Sequence, residues 1–170
     1  KIIDNPLQDI PLVAILRSFF VGLSDEALSQ IRIYHPDGLF FEAVQVYLQG
    51  EETEAAIRLK LSVFMKRLLV WQEKSKDTSL VDLIWDIYQE TFFLDYVGGL
   101  SNGIQRQANL HAFYEKAKAF DNTSFTGLFG FIQYIEKILT HDNDLSEPII
   151  IGTDDNFVRS MTVHASKGLE

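Results

Sequence analysis

Apolar residues along this chain recur mostly three and four positions apart, the spacing of one face of a helix, and seldom in strict alternation. Gln8 to Ser18 reads as a short helix with Ile10, Val13, Ala14 and Arg17 on one stripe and Pro11 tolerated in the first turn. Phe19-Phe20-Val21-Gly22 closes it, and Ser24 is placed to cap a second helix that runs to Tyr34. His35-Pro36-Asp37-Gly38 breaks the chain. A third helix carries Phe40, Val44, Tyr47 and Leu48 on one stripe and ends at Gly50. Glu51 to Lys76 forms the longest candidate. There Ile57, Leu61, Phe64, Leu68 and Trp71 recur at i, i+4, i+7, i+11 and i+14, which keeps one face apolar throughout.

After the break at Asp77-Thr78-Ser79, Ser79 and Asp82 form a capping pattern. Leu80, Leu83, Ile84, Ile87 and Tyr88 follow it at helical spacing. Phe92 to Val97 is a dense apolar patch ahead of Gly98-Gly99, and its aromatics are expected to plug the core between helices rather than stack on bases. Ser101 to Phe120 predicts a further helix with Leu110, Phe113, Tyr114 and Ala117 inward. Its first turns hold Gln105, Arg106, Gln107 and Asn109, a polar cluster suited to a neighbouring loop or to a phosphate. Thr123-Ser124 caps a last helix through His141, with Leu128, Phe131, Ile132, Ile135 and Leu139 inward, and Gly127 and Gly130 permitting close helix contact. Asp142 to Pro148 reads as a polar loop without the spacing of a calcium site.

The pattern changes at the end. Phe157, Met161 and Val163 fall on one face of an extended segment, and Ser160, Thr162 and His164 on the other, with Arg159 interrupting the apolar row. Ser166-Lys167-Gly168 then gives hydroxyl, cation and glycine, either a solvated turn or a loop that meets phosphate or nucleic acid. No upstream glycine pair makes it a phosphate-cradling loop, and neighbouring Ser166 and Lys167 point apart, so they are not a nucleophile and its base.

Composition narrows the class. With 46% hydrophobic and 12% aromatic residues the chain is a folded globule, and no apolar run reaches the ~18 residues of a membrane span. The start, Lys1-Ile2-Ile3-Asp4, resembles no signal peptide and has no initiator Met, so the chain reads as a piece of something longer. The absence of cysteine excludes disulfides and thiolate chemistry, and a cytoplasmic origin is the simpler reading. His35, His111 and His141 are scattered over separate elements, and no metal site is expected. A net charge of −9 argues against this piece as the main grip on DNA. The cations Lys60, Lys66, Arg67, Lys74 and Lys76 read as a solvated face of the long helix rather than as a strip for a DNA backbone.

Met161-Thr162-Val163-His164-Ala165-Ser166-Lys167-Gly168-Leu169-Glu170 resembles motif V of the UvrD/Rep-type superfamily 1 DNA helicases at ten consecutive positions. The resemblance implies that Thr162 and His164 lie on the DNA side, and Gly168 and Glu170 on the nucleotide side, of a second RecA-like motor domain. A narrower likeness runs through Asp4 to Ser18, Asp95-Tyr96-Val97-Gly98-Gly99 and Gln105-Arg106-Gln107-Ala108-Asn109-Leu110, which are similar to the 2B subdomain of AddA-type (RexA-type) helicase–nuclease subunits. One position departs: Phe19 follows Leu16-Arg17-Ser18 where that family commonly shows proline.

The fold class expected is therefore mainly α, a multi-helix 2B-like subdomain over 1–156, with 157–170 a short β-strand remnant of the parent RecA-like domain. The resemblance implies a parent that is an ATP-dependent DNA helicase and exonuclease subunit for double-strand break repair and recombination. That parent would use ATP and Mg²⁺ and pair with an AddB-type (RexB-type) subunit. No P-loop, acidic metal motif or nuclease carboxylate cluster is identifiable, so no catalytic residue and no cofactor is expected in the fragment, which is expected to be inactive alone and to position DNA or the partner subunit. The rival reading is a stand-alone helical protein-interaction domain whose closing motif is coincidental.

Overall fold

Helix ends show how the chain solves its local problems. The computed structural model describes residues 1–122 and 127–141, and among the described residues the chain is helical with no strand. The helices are α1 (Asp9–Arg17), α2 (Asp25–Tyr34), α3 (Phe40–Gln49), α4 (Ala55–Asp77), α5 (Leu80–Thr91), α6 (Phe93–Gly98), α7 (Gly103–Asp121) and α8 (Leu128–His141). The mainly α class stands. The expected strand remnant at 157–164, the loop at 142–148 and the Thr123-Ser124 cap lie outside the described residues.

Ser24 caps α2 by accepting from the Ala27 N–H at 3.2 Å, and Ser79 caps α5 by accepting from the Asp82 N–H at 3.0 Å, both as the spacing predicts. α3 has no such residue, because its N-cap is Leu39. Its exposed amides are met from elsewhere: Glu42 reaches back to the Leu39 N–H at 2.9 Å, and Asp9 of α1 accepts from the Phe40 N–H at 2.8 Å. The other oxygen of Asp9 lies 3.6 Å from Arg32 of α2, which donates to the Gly38 carbonyl at 3.0 Å. One carboxylate thus fixes three helices.

α4 begins at Ala55, four residues later than the apolar period suggests. The Tyr47 hydroxyl accepts from the Glu54 N–H at 3.1 Å, and Thr53 donates to the Gly50 carbonyl at 2.9 Å, so residues 51–54 are spent on a turn. Ile57, Leu61, Phe64, Leu68 and Trp71 are all buried, as their spacing requires. α1 corrects its expected stripe. Leu12 and Leu16 are fully buried, while Ile10 is 85% exposed.

Two apolar clusters result. The first gathers α1 to α4 around Leu12, Leu16, Ile31, Val44, Leu61 and Leu68. The second joins α5, α7 and α8 around Leu80, Ile84, Tyr88, Ala117, Phe120 and Phe131. Gly103 and Gly130 give the second cluster its close approaches. A Cβ on Gly103 would run into the Gly98 carbonyl, and one on Gly130 would stand 3.3 Å from Cζ of Phe120. Gly127, by contrast, has φ +92 and open space around it, so it serves a turn rather than a helix contact.

The apolar patch at 92–97 behaves differently from the expected core plug. Phe92 takes a left-handed conformation (φ 53) that ends α5 and starts α6, and it is 70% exposed. Val97 is buried and Phe93 and Leu94 pack on the second cluster. Tyr96 turns back instead to stack on Phe19, rings 4.0 Å apart and 9° from parallel, while Phe93 lies 5.2 Å from Phe19 and 5.1 Å from Phe20. Leu139, also expected inward, is 56% exposed near the end of α8.

Two outcomes test this packing. Leu61→Ala, at the centre of α4, will lower unfolding free energy by about 2–5 kcal/mol, whereas Ile10→Ser will change it by less than about 0.5 kcal/mol; urea titration reads both, and a comparable loss from Ile10→Ser contradicts the register given for α1. Tyr88 donates to the Leu110 carbonyl at 3.2 Å, and burial pushes its phenol from 10.0 up to about 12. The native chain keeps a proton that the unfolded chain releases above pH 10, so this contribution is complete below pH 10 and fades as pH climbs toward 12. Tyr88→Phe will therefore lose less stability than the parent between about pH 10 and about pH 12, and an identical alkaline slope in the two proteins counts against the burial argument.

Candidate functional site

The cations on α4 separate into two groups once their partners are known. Near its C-terminal end Lys74 lies 2.7 Å from Asp86 and 2.8 Å from Glu90 of α5, and Lys76 lies 2.8 Å from Glu73. Glu90 also accepts from the Trp71 indole N–H at 2.9 Å. These bonds hold the Glu90 carboxyl below its ordinary range, with the Lys74 hydrogen bond the largest cause, and they raise the Lys74 ammonium. Near its start, Lys60 donates to the Gly22 carbonyl at 2.7 Å and Arg58 to the Gly50 carbonyl at 3.0 Å. In the middle, Lys66 and Arg67 make no ion pair among the described residues, and Arg67 sits over the Trp71 ring at 6.0 Å. The solvated-face reading therefore holds for part of the strip only.

On the outer face that Lys66 occupies lies a second apolar row. Leu59 is 65% exposed, and Val63 and Val70 are each 50% exposed. At 100° per residue they fall with Lys66 on one line, opposite the buried Ile57, Leu61, Phe64, Leu68 and Trp71. A shallow groove of about 280 Å³ runs beside this row, walled by Phe20 and Val21 on one side and by Leu59, Val63, Arg67 and Trp71 on the other. The sequence held this signal: Leu59, Val63 and Val70 stand at i, i+4 and i+11, but the stronger buried period hides them.

The polar cluster on α7 meets the neighbouring-loop reading. Arg106 donates to the Ser101 carbonyl at 2.9 Å, Gln107 to the Leu94 carbonyl at 3.0 Å, and Gln105 to the Asn109 side chain at 3.0 Å. These bonds lock the α6–α7 turn. A second apolar groove, of about 250 Å³, lies among Leu80, Ile84, Phe113, Phe131, Ile135 and Leu139, and the Lys1–Glu136 pair closes one rim at 2.6 Å. No group of three or more His, Cys, Asp or Glu that could hold a metal occurs among the described residues. None of the described helices is long and apolar enough to cross a membrane. Thr162, His164, Gly168 and Glu170 lie outside the described residues.

No family model matches the chain. Curated relatives do. The A subunit of an ATP-dependent helicase/nuclease from Bacillus mycoides (strain KBAB4) is 46% identical over 172 residues, covering 100% of this chain and 14% of the relative. Those of Bacillus cytotoxicus and of Listeria monocytogenes serotype 4b (strain F2365) give the same identity and the same coverage, over 172 and 170 residues. The chain is related, end to end, to one segment of the AddA subunit of ATP-dependent helicase/nucleases. It spans 14% of the length of these relatives, and the matched stretch takes in both the eight described helices and the closing Met161–Glu170 peptide.

Within that segment the Trp71–Glu90–Lys74–Asp86 network is the polar link between α4 and α5. Glu90 is ionised more readily in the folded state, so its contribution is complete above the unfolded value of 4.5 and is lost as pH falls through the lower folded value. Glu90→Gln will flatten the acid limb of the stability curve below pH 4.5 while also lowering stability near neutrality. Thermal unfolding followed across that range measures it, and an unaltered acid limb counts against the network.

Proposed function

We propose that this chain is a non-catalytic helical segment of an ATP-dependent DNA helicase/nuclease subunit, and that it positions DNA or the partner subunit while chemistry proceeds elsewhere in the parent. The observation that carries the reading is 46% identity over the whole chain to a stretch amounting to 14% of the AddA relatives. In this reading the parent uses ATP and Mg²⁺, acts in the cytoplasm on broken duplex DNA during repair and recombination, and assembles with an AddB-type subunit. Thr162 and His164 would face the single strand, and Gly168 and Glu170 the nucleotide, at the point where the helices return to the motor domain.

Physical features support the division of labour. The described polar side chains are largely engaged in holding helices: Asp9, Arg32, Glu90, Lys74 and Gln107 each bond within the fold. A net charge of −9 suits a body that guides or spaces other parts better than one that wraps a phosphate backbone.

A transplant tests the reading. The corresponding segment of the Bacillus mycoides AddA relative is replaced by this chain, and the chimera is assembled with its partner subunit. DNA-dependent ATP hydrolysis and unwinding are expected to persist, the isolated chain is expected to hydrolyse no ATP, and Thr162→Ala with His164→Ala in the chimera is expected to lower DNA-stimulated hydrolysis roughly 10-fold. A folded chimera that neither hydrolyses ATP nor unwinds DNA overturns the assignment, as does ATP hydrolysis by the isolated chain.

A further inference from the structure

α4 is apolar on two opposite faces, and the described residues bury only one of them. Leu59, Val63 and Val70 are half or more exposed along a line of about 17 Å, with Lys66 between them and Leu69, 58% exposed, on its flank. Aliphatic side chains at this spacing form a helix-packing seam rather than a scatter of single exposed residues. Between Leu59 and Val70 the charges beside the seam have one sign, and the first carboxylate on its line, Glu73, comes one turn past Val70 and is paired with Lys76 at 2.8 Å. From Ala55 to Gln72 the chain carries Arg58, Lys60, Lys66 and Arg67 and no Asp or Glu, within a protein that has 24 acidic residues. Arg58 and Lys60 are tied to backbone carbonyls, which leaves Lys66 and Arg67 as the charges this surface presents.

We propose that the Leu59–Val63–Lys66–Val70 face of α4 docks an amphipathic helix of a partner protein, with leucine-type side chains laid along the seam and carboxylates set against Lys66 and Arg67. The inference rests on α4 alone and goes beyond the reading of the chain as a helicase segment. Three features select this occupant. A nucleic acid backbone would pair with the two cations but would leave Leu59, Val63 and Val70 in water, so the aliphatic row favours protein. A second copy docked symmetrically across the seam would bring the Lys66 and Arg67 pairs of both copies close together beside its centre, which like-charge repulsion opposes. The groove beside the seam, walled by Phe20 and Val21, gives the larger side chains of a helix a place to enter.

The probe is a synthetic fluorescein-labelled helix of about six turns (~21 residues) with Leu at a and d and Glu at e and g. The control is the same peptide with Lys in place of Glu, and fluorescence anisotropy against the 170-residue chain reads binding. The Glu peptide is expected to bind, the Lys peptide to bind at least about 10-fold more weakly, and both Lys66→Glu and Val63→Asp to weaken the Glu peptide about 10-fold or more. Both variants replace exposed side chains, and circular dichroism and urea midpoints matching the parent confirm that they fold. Sedimentation of the chain alone and anisotropy with a labelled duplex are measured in parallel. The proposal fails if the Glu peptide does not bind, or if its binding is indifferent to both variants. It fails equally if Val63→Asp dissolves a self-associated form of the chain, or if the duplex binds in a manner lost with Lys66→Glu while the peptide does not.

Discussion

Burial of one face of α4 is the constraint on which the rest of this structure depends. Five large side chains, Ile57, Leu61, Phe64, Leu68 and Trp71, are withdrawn from water along a single helix. At about 1.5–3 kcal/mol each their burial contributes on the order of 10 kcal/mol, an upper figure because the unfolded chain already hides some of that surface. No hydrogen bond in the molecule compares with this sum. The same helix then hands over to the second cluster, because Trp71 ends the buried row and its indole N–H already belongs to the network with Glu90 of α5. Packing sets where α4 lies, and the polar groups at its end decide how α5 leaves it.

What could be read from the residues followed from how one-sided each helix is. α5 keeps its apolar and polar positions on separate faces, and α4 carries an unbroken i, i+4, i+7, i+11, i+14 row that marks its inner face despite the exposed Leu59, Val63 and Val70, so their buried residues were legible in the sequence. α1 was not, because Ile10, Pro11, Leu12, Val13, Ala14, Ile15 and Leu16 are apolar all round and no period marks the inner face. Its orientation is set from a distance, by Asp9 reaching the Phe40 N–H, and a bond 31 positions apart leaves no local trace. The break at Phe92 was equally silent, since a left-handed phenylalanine is dictated by its surroundings and not by its own preference. For the site the boundary is different. The ten closing residues carried the motif V resemblance from which the site was read, and they lie outside the described residues, so the chemistry read from them stands on likeness and the helices stand on physics.

Charge adds a distinction that composition alone obscures. A net −9 suggests a uniformly acidic surface, yet α4 runs from Ala55 to Gln72 without a carboxylate. The cations near its ends are taken up by partners: Lys60 closes the Gly22 turn, Lys74 bridges to α5, and Lys76 meets Glu73. Position along the helix thus decides which cations serve the fold and which face outward. Counting Lys and Arg on a helix face merges these two populations, and for that reason neither a basic strip nor a solvated face describes α4 as a whole.

The position where this chain departs from the resembling family joins the two clusters. Phe19 stands where proline is common, and its ring stacks on Tyr96 at 4.0 Å and faces Phe93 at 5.2 Å. Phe19 and Phe20 come from the turn between α1 and α2, whereas Phe93 and Tyr96 belong to α6, so the contact ties a turn beside the first cluster to a helix beside the second. Each aromatic pair contributes about 0.5–1.5 kcal/mol beyond the area it buries. The chain itself links the clusters through Thr78 and Ser79, between α4 and α5, and the Trp71–Glu90–Lys74–Asp86 network and the Lys1–Glu136 pair tie them at two further places. The aromatic clasp adds a contact at a separate point, and parting the clusters there would break the Phe19–Tyr96 stack and turn more of both rings to water.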